Sequence, residues 1–288
     1  MFAEVNGTRL YYEISGAGRP LVLIHGSGLD TRMWDYQFDV FARAYRVIRY
    51  DARGCGQSAV PTDEPYNRAE DLKALLDHLK IPSANIIGLS MGGAIAIDFT
   101  LLFPEAIQSL ILVDSRPEGW RSGSPELAAF SQRIALEVQE NNLAEARRIS
   151  WEEQPLLAPA RKNPRAAMLL KRIVNDYSGW QWTHTNPIRK LNPQAIQRLE
   201  EIITPTLIFV GELDLPPFHA IAEVMCQRIR GARKVVLPGA GHVSCVEAPD
   251  QFNQIVMSFL QEISGYHSAG RTPTLPAGGF IPGTMKQT

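Results

Sequence analysis

The sequence predicts an α/β fold: a mostly parallel sheet with helices packed on both faces. Three observations carry that expectation. Short apolar runs with almost no polar alternation recur along the chain, and a stretch with helical periodicity follows each of them. The chain is also long enough, at 288 residues of which 45% are hydrophobic and 20% charged, to bury a large core without disulfides or a structural metal.

The elements follow in order. Leu21-Val22-Leu23-Ile24 reads as a strand, since a strand covered on both faces has no position for a polar residue. A helix is expected from about Trp34 to Arg43, then the strand Arg46–Tyr50, then a helix from Asn67 to Leu79. Asn85-Ile86-Ile87 leads into a helix after Ser90. The remaining strands are Leu110–Val113, Thr206–Val210 and Lys234–Leu237, and a last helix runs to Ile263. Residues 1–116 and 204–263 thus form the core.

Between 117 and 203 the strand signals vanish and only helical patterns remain, so this insertion reads as a cap over the sheet. Asn163-Pro164 and Asn192-Pro193 both read as an N-cap followed by Pro at the first helical position. Residues 116–198 carry 13 Lys and Arg against 8 Asp and Glu. That excess fits either solvated helix faces or a pocket roof that attracts an anion. Trp120, Trp151, Trp180 and Trp182 also fall here, as cap packing or as pocket lining. From 264 to 288 the composition turns to Gly, Pro, Ser and Thr without periodicity, which reads as a flexible tail.

Composition excludes several function classes. With 29 Lys and Arg against 30 Asp and Glu, the chain has no global field to gather nucleic acid or anionic lipid. Its start, Met1-Phe2-Ala3-Glu4-Val5-Asn6-Gly7, carries no basic stretch followed by an apolar run, so a secretory signal is not expected. The apolar stretch Ile86–Ile97 is broken by three glycines and falls short of the about 20 residues a spanning helix needs. Cys55, Cys226 and Cys245 lie far apart in odd number, which fits a reducing cytoplasm. His25, His78, His184, His219 and His267 lack metal-ligand spacing, and no glycine-rich loop stands where a nucleotide phosphate requires it. Neither a metal nor a cofactor is expected.

One constellation carries chemistry. Gly88-Leu89-Ser90-Met91-Gly92-Gly93 follows a strand and opens a helix, the setting of a strained turn that lifts a nucleophile to the sheet edge. Such a turn needs Gly two residues before and two after the nucleophile, and Gly88 and Gly92 meet that need. A serine hydroxyl is a poor nucleophile near neutral pH, so an imidazole must take its proton and a carboxylate must orient that imidazole. Asp214 in Gly211-Glu212-Leu213-Asp214 and His242 in Gly239-Ala240-Gly241-His242 both follow strands, at the edge where open α/β sheets build sites. Asp114, ending the run Leu110–Val113, is the rival acid. The backbone amides of Ser27, in His25-Gly26-Ser27-Gly28, and of Met91 are positioned to hold an oxyanion, while His25 itself reads as structural.

The chain resembles the α/β-hydrolase superfamily over about residues 2–263. Trp34-Asp35, Gln37, Phe41, Arg46 to Gly54, Pro65-Tyr66, the elbow Gly88–Gly93, and Gly241-His242-Val243-Ser244 with Glu247 are similar to the 3-oxoadipate enol-lactonase and carboxylesterase branch. The resemblance implies a helical cap inserted after the sixth strand, Ser90, Asp214 and His242 as a triad, and Ser27 and Met91 as backbone donors. His25-Gly26-Ser27 stands where enol-lactonases commonly have a Ser-Asn-Ser triplet, and is similar instead to general esterases and carbon–carbon bond hydrolases. Cys55 stands where relatives often carry His, and reads as a small packed residue.

The expected function is a cofactor-free serine hydrolase that cleaves a small-molecule carboxylic ester or lactone through an acyl-enzyme. Carbon–carbon bond hydrolysis, cofactor-free perhydrolysis of the haloperoxidase type, and a non-catalytic ligand receptor are the alternatives on the same fold.

Overall fold

The computed structural model describes residues 1–121 and 123–268. Eight strands form one sheet: β1 (Phe2–Val5), β2 (Thr8–Ser15), β3 (Pro20–Ile24), β4 (Arg46–Tyr50), β5 (Ala84–Leu89), β6 (Ile107–Val113), β7 (Thr206–Gly211) and β8 (Arg233–Leu237). Their spatial order is β1-β2-β4-β3-β5-β6-β7-β8. Everything from β4 to β8 is parallel, and β1 and β2 add an antiparallel edge.

That antiparallel hairpin is absent from the sequence expectation. Its turn is Asn6-Gly7, both with positive φ, the pair that a tight two-residue hairpin favours. β3, β5, β6 and β7 are buried almost throughout, as unbroken apolar runs require. β8 differs because it is the far edge: Arg233 and Lys234 are half-buried and Val236 is 45% exposed. Charges on an edge strand discourage a second chain from pairing there.

The helices are α1 (Asp35–Ala42), α2 (Arg68–His78), α3 (Met91–Leu102), α4 (Pro125–Gln139), α5 (Leu143–Glu152), α6 (Ala158–Lys162), α7 (Pro164–Asp176), α8 (Trp180–Thr183), α9 (Pro216–Arg228), α10 (Ser244–Glu247) and α11 (Pro249–Ser268). Strand periodicity divides the core into two layers. Val22, Ile24 and Ile86 face a layer built with α2, α3 and α9, while Leu21, Leu23, Ile87 and Leu89 face one built with α1 and α11. Asn67 caps α2 by accepting from the Ala69 and Glu70 amides, which explains where that helix begins.

Between β6 and β7 every element is helical. Leu169, Leu170, Ile173 and Val174 of α7 join the same apolar layer as α1 and α11, so α7 is anchored to the sheet; α4 buries only Ile134. Asn163 caps α7 as its sequence indicates, accepting from the Arg165 and Ala166 amides. Asn192-Pro193 does not begin a helix. Its peptide bond is cis, and the next helical residues form a single 3-10 turn, Ala195–Gln197, with Gln194 at its start. The last helix continues past Ser264 to Ser268, while the rest of the expected tail lies outside the described residues. Among the described residues no helix is long and apolar enough to cross a membrane.

Candidate active site

The order β4-β3-β5 marks a reversal: after β3 the chain adds a strand on one side, and from β5 onward it builds on the other. A crevice opens at the C-terminal ends of strands at such a point. The loops after β3 and β5 meet there, and those after β6, β7 and β8 close in beside them.

Ser90 sits between β5 and α3 with φ 51° and ψ −108°, outside the regions an L-residue ordinarily occupies. The turn holds because its flanks have no side chains. A Cβ on Gly88 would lie 2.3 Å from the Gly92 carbonyl oxygen, and one on Gly92 would lie 2.2 Å from that of Ile24. The Ser90 amide donates to the Val113 carbonyl at 2.9 Å, which ties the turn to β6.

His242 and Asp214 arrive from the loops after β8 and β7. His242 Nε2 lies 3.0 Å from Ser90 Oγ, and its Nδ1 lies 2.9 Å from Asp214 Oδ2. All three sequence-predicted groups therefore form one hydrogen-bonded chain. His242 is 4% exposed, and the Phe218 ring meets its imidazole edge-on at 4.3 Å. Burial works to lower the imidazole's pKa, but the facing Asp214 carboxylate, with Asp114 and Glu247 behind it, leaves it above its usual value.

Asp114, the rival acid, is placed elsewhere. Its Oδ1 accepts from the Gly211 amide at 2.8 Å, and its Oδ2 from the Ser244 hydroxyl at 2.6 Å and the Ser244 amide at 3.1 Å. It therefore fastens the Asp214 loop and the segment after His242 to the end of β6. Burial, then the nearby Asp214 charge, pushes its carboxyl up to about 8. Glu247 does similar work within the histidine loop, accepting from the Gly241 and Val243 amides at 2.9 and 3.0 Å. These braces are what residue-type reasoning missed; the only signal for Asp114 was its place at a strand end.

His25 is fully buried and bonds outside the triad. Its Nε2 accepts from the Ala52 amide at 3.0 Å, so Nδ1 carries the proton and faces the Gly26 carbonyl at 2.7 Å. It braces the loop that carries Ser27. Met91 opens α3, where first-turn amides have no carbonyl partner within the helix. Ser27 Oγ donates to Gln181 Oε1 of α8 at 3.2 Å, so the cap reaches down to this loop. Cys55 is 2% exposed with Gln181 Nε2 3.8 Å from its sulfur, and burial pushes its thiol up to about 12, a packed and unreactive group.

Two cavities share Ser27, Ser90 and Gln181. The first, about 150 Å³, includes His242 and is walled by Phe130, Leu156, Leu157, Val174, Tyr177 and Trp182. The second, about 290 Å³, includes Met91 and is walled by Arg68, Asp98, Arg116, Glu118 and Lys190. Of the four cap tryptophans only Trp182 lines the first cavity. Trp151 is buried against the sheet layer, Trp120 packs on the opposite layer, and Trp180 stacks on His184. The cap's basic excess is largely spent at its surface, as in Arg148 with Glu145, Arg189 with Glu70 and Arg198 with Glu201. Among the described residues no group of His, Cys, Asp and Glu is arranged to hold a metal ion.

Residues 19–249 match the profile of a family described as alpha/beta hydrolase fold. The chain is 29% identical over 266 residues to a putative 2-succinyl-6-hydroxy-2,4-cyclohexadiene-1-carboxylate synthase of Bacillus subtilis, covering 86% of this chain and 92% of that one. It is 28% identical over 263 residues to 3-oxoadipate enol-lactonase 2 of Acinetobacter baylyi, covering 88% and 93%. Among solved structures, the enol-lactonase of Burkholderia xenovorans LB400 superposes with a TM-score of 0.72 at 28% identity, over 91% of this chain and all of that one.

Proposed function

The chain belongs to the α/β-hydrolase family, and from that premise we propose that it is a serine hydrolase cleaving a carboxylic ester or lactone through an acyl-enzyme. One observation carries the reading: an unbroken hydrogen-bonded chain from Asp214 through His242 to Ser90 at the floor of a cavity.

Ser90 Oγ attacks the acyl carbon as its proton passes to His242 Nε2, 3.0 Å away. Asp214 stays ionised, holds the proton on Nδ1 and stabilises the imidazolium that forms. The carbonyl oxygen, now an anion, is held by the Ser27 and Met91 amides. As the intermediate collapses, the leaving alcohol takes the proton from His242. A water molecule then attacks the acyl carbon and gives a proton to His242. Breaking the ester bond to Ser90 frees the acid and returns that proton to the hydroxyl. Backbone strain at Ser90 keeps its hydroxyl exposed to both cavities, which supports its role as nucleophile. The three free cysteines, two of them buried, support a reducing compartment such as the cytoplasm.

The test is covalent. A fluorophosphonate should label Ser90 stoichiometrically, and Ser90→Ala should abolish labelling and lower ester turnover by about four to six powers of ten. Undiminished hydrolysis by Ser90→Ala refutes the mechanism. Slow single turnover with no labelling refutes catalysis and favours a receptor.

A further inference from the structure

The two cavities at Ser90 differ in chemistry, and the second holds charge that the protein itself does not neutralise. Of its three cations, Lys190 lies 3.2 Å from Glu118 and is paired. Arg116 donates to the Trp120 carbonyl at 3.1 Å and has no carboxylate partner among the described residues. Arg68 is half-buried, forms no ion pair among the described residues, and its Nε is buried without a hydrogen-bond partner. Asp71, whose carboxylate interacts with the Arg68 charge, is already held by Arg53 through two bonds of 2.7 Å.

Helix stability does not explain Arg68. It is the first residue of α2, where the helix dipole disfavours a cation. Burying one guanidinium donor, Nε, without a partner is unfavourable, and an anion entering the chamber would satisfy it. The remaining acid, Asp98, is 8% exposed, and its Oδ1 is buried without a partner. Burial, with help from Glu118, pushes its carboxyl up to about 7, so near neutrality about half of it is protonated and it repels an incoming anion less than an ordinary carboxylate would.

The triad gives the site a direction. A leaving alcohol must take its proton from His242, and of these two cavities only the apolar one is lined by His242. The acyl chain then extends into the other, past Met91 toward Arg68. We propose that the substrate is a half-ester of a dicarboxylic acid, its free carboxylate held by Arg68 and Arg116 in the polar chamber and its apolar alcohol in the aromatic chamber. This rests on the serine-hydrolase reading. A guanidinium binds a carboxylate through two parallel hydrogen bonds, which fixes the chain's orientation as well as its charge. The reaction is ester hydrolysis with the same atom balance, and its products are a neutral alcohol and a dicarboxylate.

The experiment uses the full chain with mono-p-nitrophenyl glutarate and its methyl-capped neutral analogue. The wild type should favour the half-ester at least tenfold in kcat/KM, chiefly through KM. Arg68→Leu should bring the ratio of the two substrates to about one, and Arg68→Lys should keep part of the preference. Glutarate should inhibit competitively at lower concentration than pentanoate, a comparison that needs no variant and decides the matter if Arg68→Leu fails to fold. Efficient turnover of the neutral ester with no half-ester preference, or an unchanged ratio in folded Arg68→Leu, overturns the inference and leaves the serine-hydrolase reading standing. No turnover of either ester and no fluorophosphonate labelling overturns both.

Discussion

Replacing Asp98 by Asn should stabilise the protein above neutral pH and have a shrinking effect as the solution is acidified. Asp98 lies in α3 at 8% exposure with one carboxylate oxygen unpartnered. Its carboxyl rises from 3.8 to about 7 in the folded protein, mainly through burial. At 1.36 kcal/mol per pKa unit, ionising it there costs about 4 kcal/mol more than in the unfolded chain. The sign follows from proton binding. Between pH 3.8 and about 7 the folded state binds more protons than the unfolded one, so this group's contribution to stability falls as pH rises and levels off above 7. Asn cannot ionise, so the variant escapes that loss. Water entering the chamber raises the effective dielectric and brings the gain at pH 8 nearer about 2 kcal/mol. Urea unfolding of both proteins at pH 5, 6, 7 and 8 measures it. The reasoning is refuted if the difference is the same at every pH, or if it grows toward acid.

Further outcomes follow from the same geometry. Asp214→Asn should lower kcat by about 10⁴ by disturbing the imidazole tautomer, whereas Asp114→Asn, which touches loops and not the ring, should cost about tenfold; the reverse order assigns the acid to Asp114. The acidic limb of the kcat/KM profile should have its midpoint above 6.5, because a base with a raised pKa stays protonated to higher pH; a midpoint at or below 6.5 contradicts the influence of Asp214 on His242. Gly92→Ala should destabilise the fold by about 3 kcal/mol or more, since its methyl would meet the backbone oxygens of Ile24 and His25 at 2.2 and 2.7 Å; a melting temperature equal to wild type refutes the close approach. Trp182→Ala should widen the apolar cavity and raise relative kcat/KM for bulky leaving groups, as a series of esters with a fixed acyl chain would show.

Much of the fold was legible because strands buried on both faces are dominated by apolar runs, as the central stretches of β3, β5, β6 and β7 are, while β4 carries a buried Arg49 that Glu13 and Asp35 hold. The edges were harder. β1 and β2 are short and partly exposed, so no apolar run marks them, although Asn6-Gly7 announced their turn. Asn192-Pro193 has the composition of a helix start yet sits in a cis turn, because one dipeptide serves either geometry and the surrounding chain chooses.

The sequence by itself determined the reacting groups: a serine between spaced glycines, and an acid and a histidine after successive strands, since covalent strain and strand-end placement leave local signatures. Tertiary structure alone decided that Asp114 braces the loops beside the triad, which of four tryptophans lines the cavity at the nucleophile, and that Arg68 and Asp98, thirty positions apart, share one chamber. The physical reason is that partnership depends on distance and on who else has already bonded each group. Those are properties of the folded packing, and no local pattern in the chain encodes them.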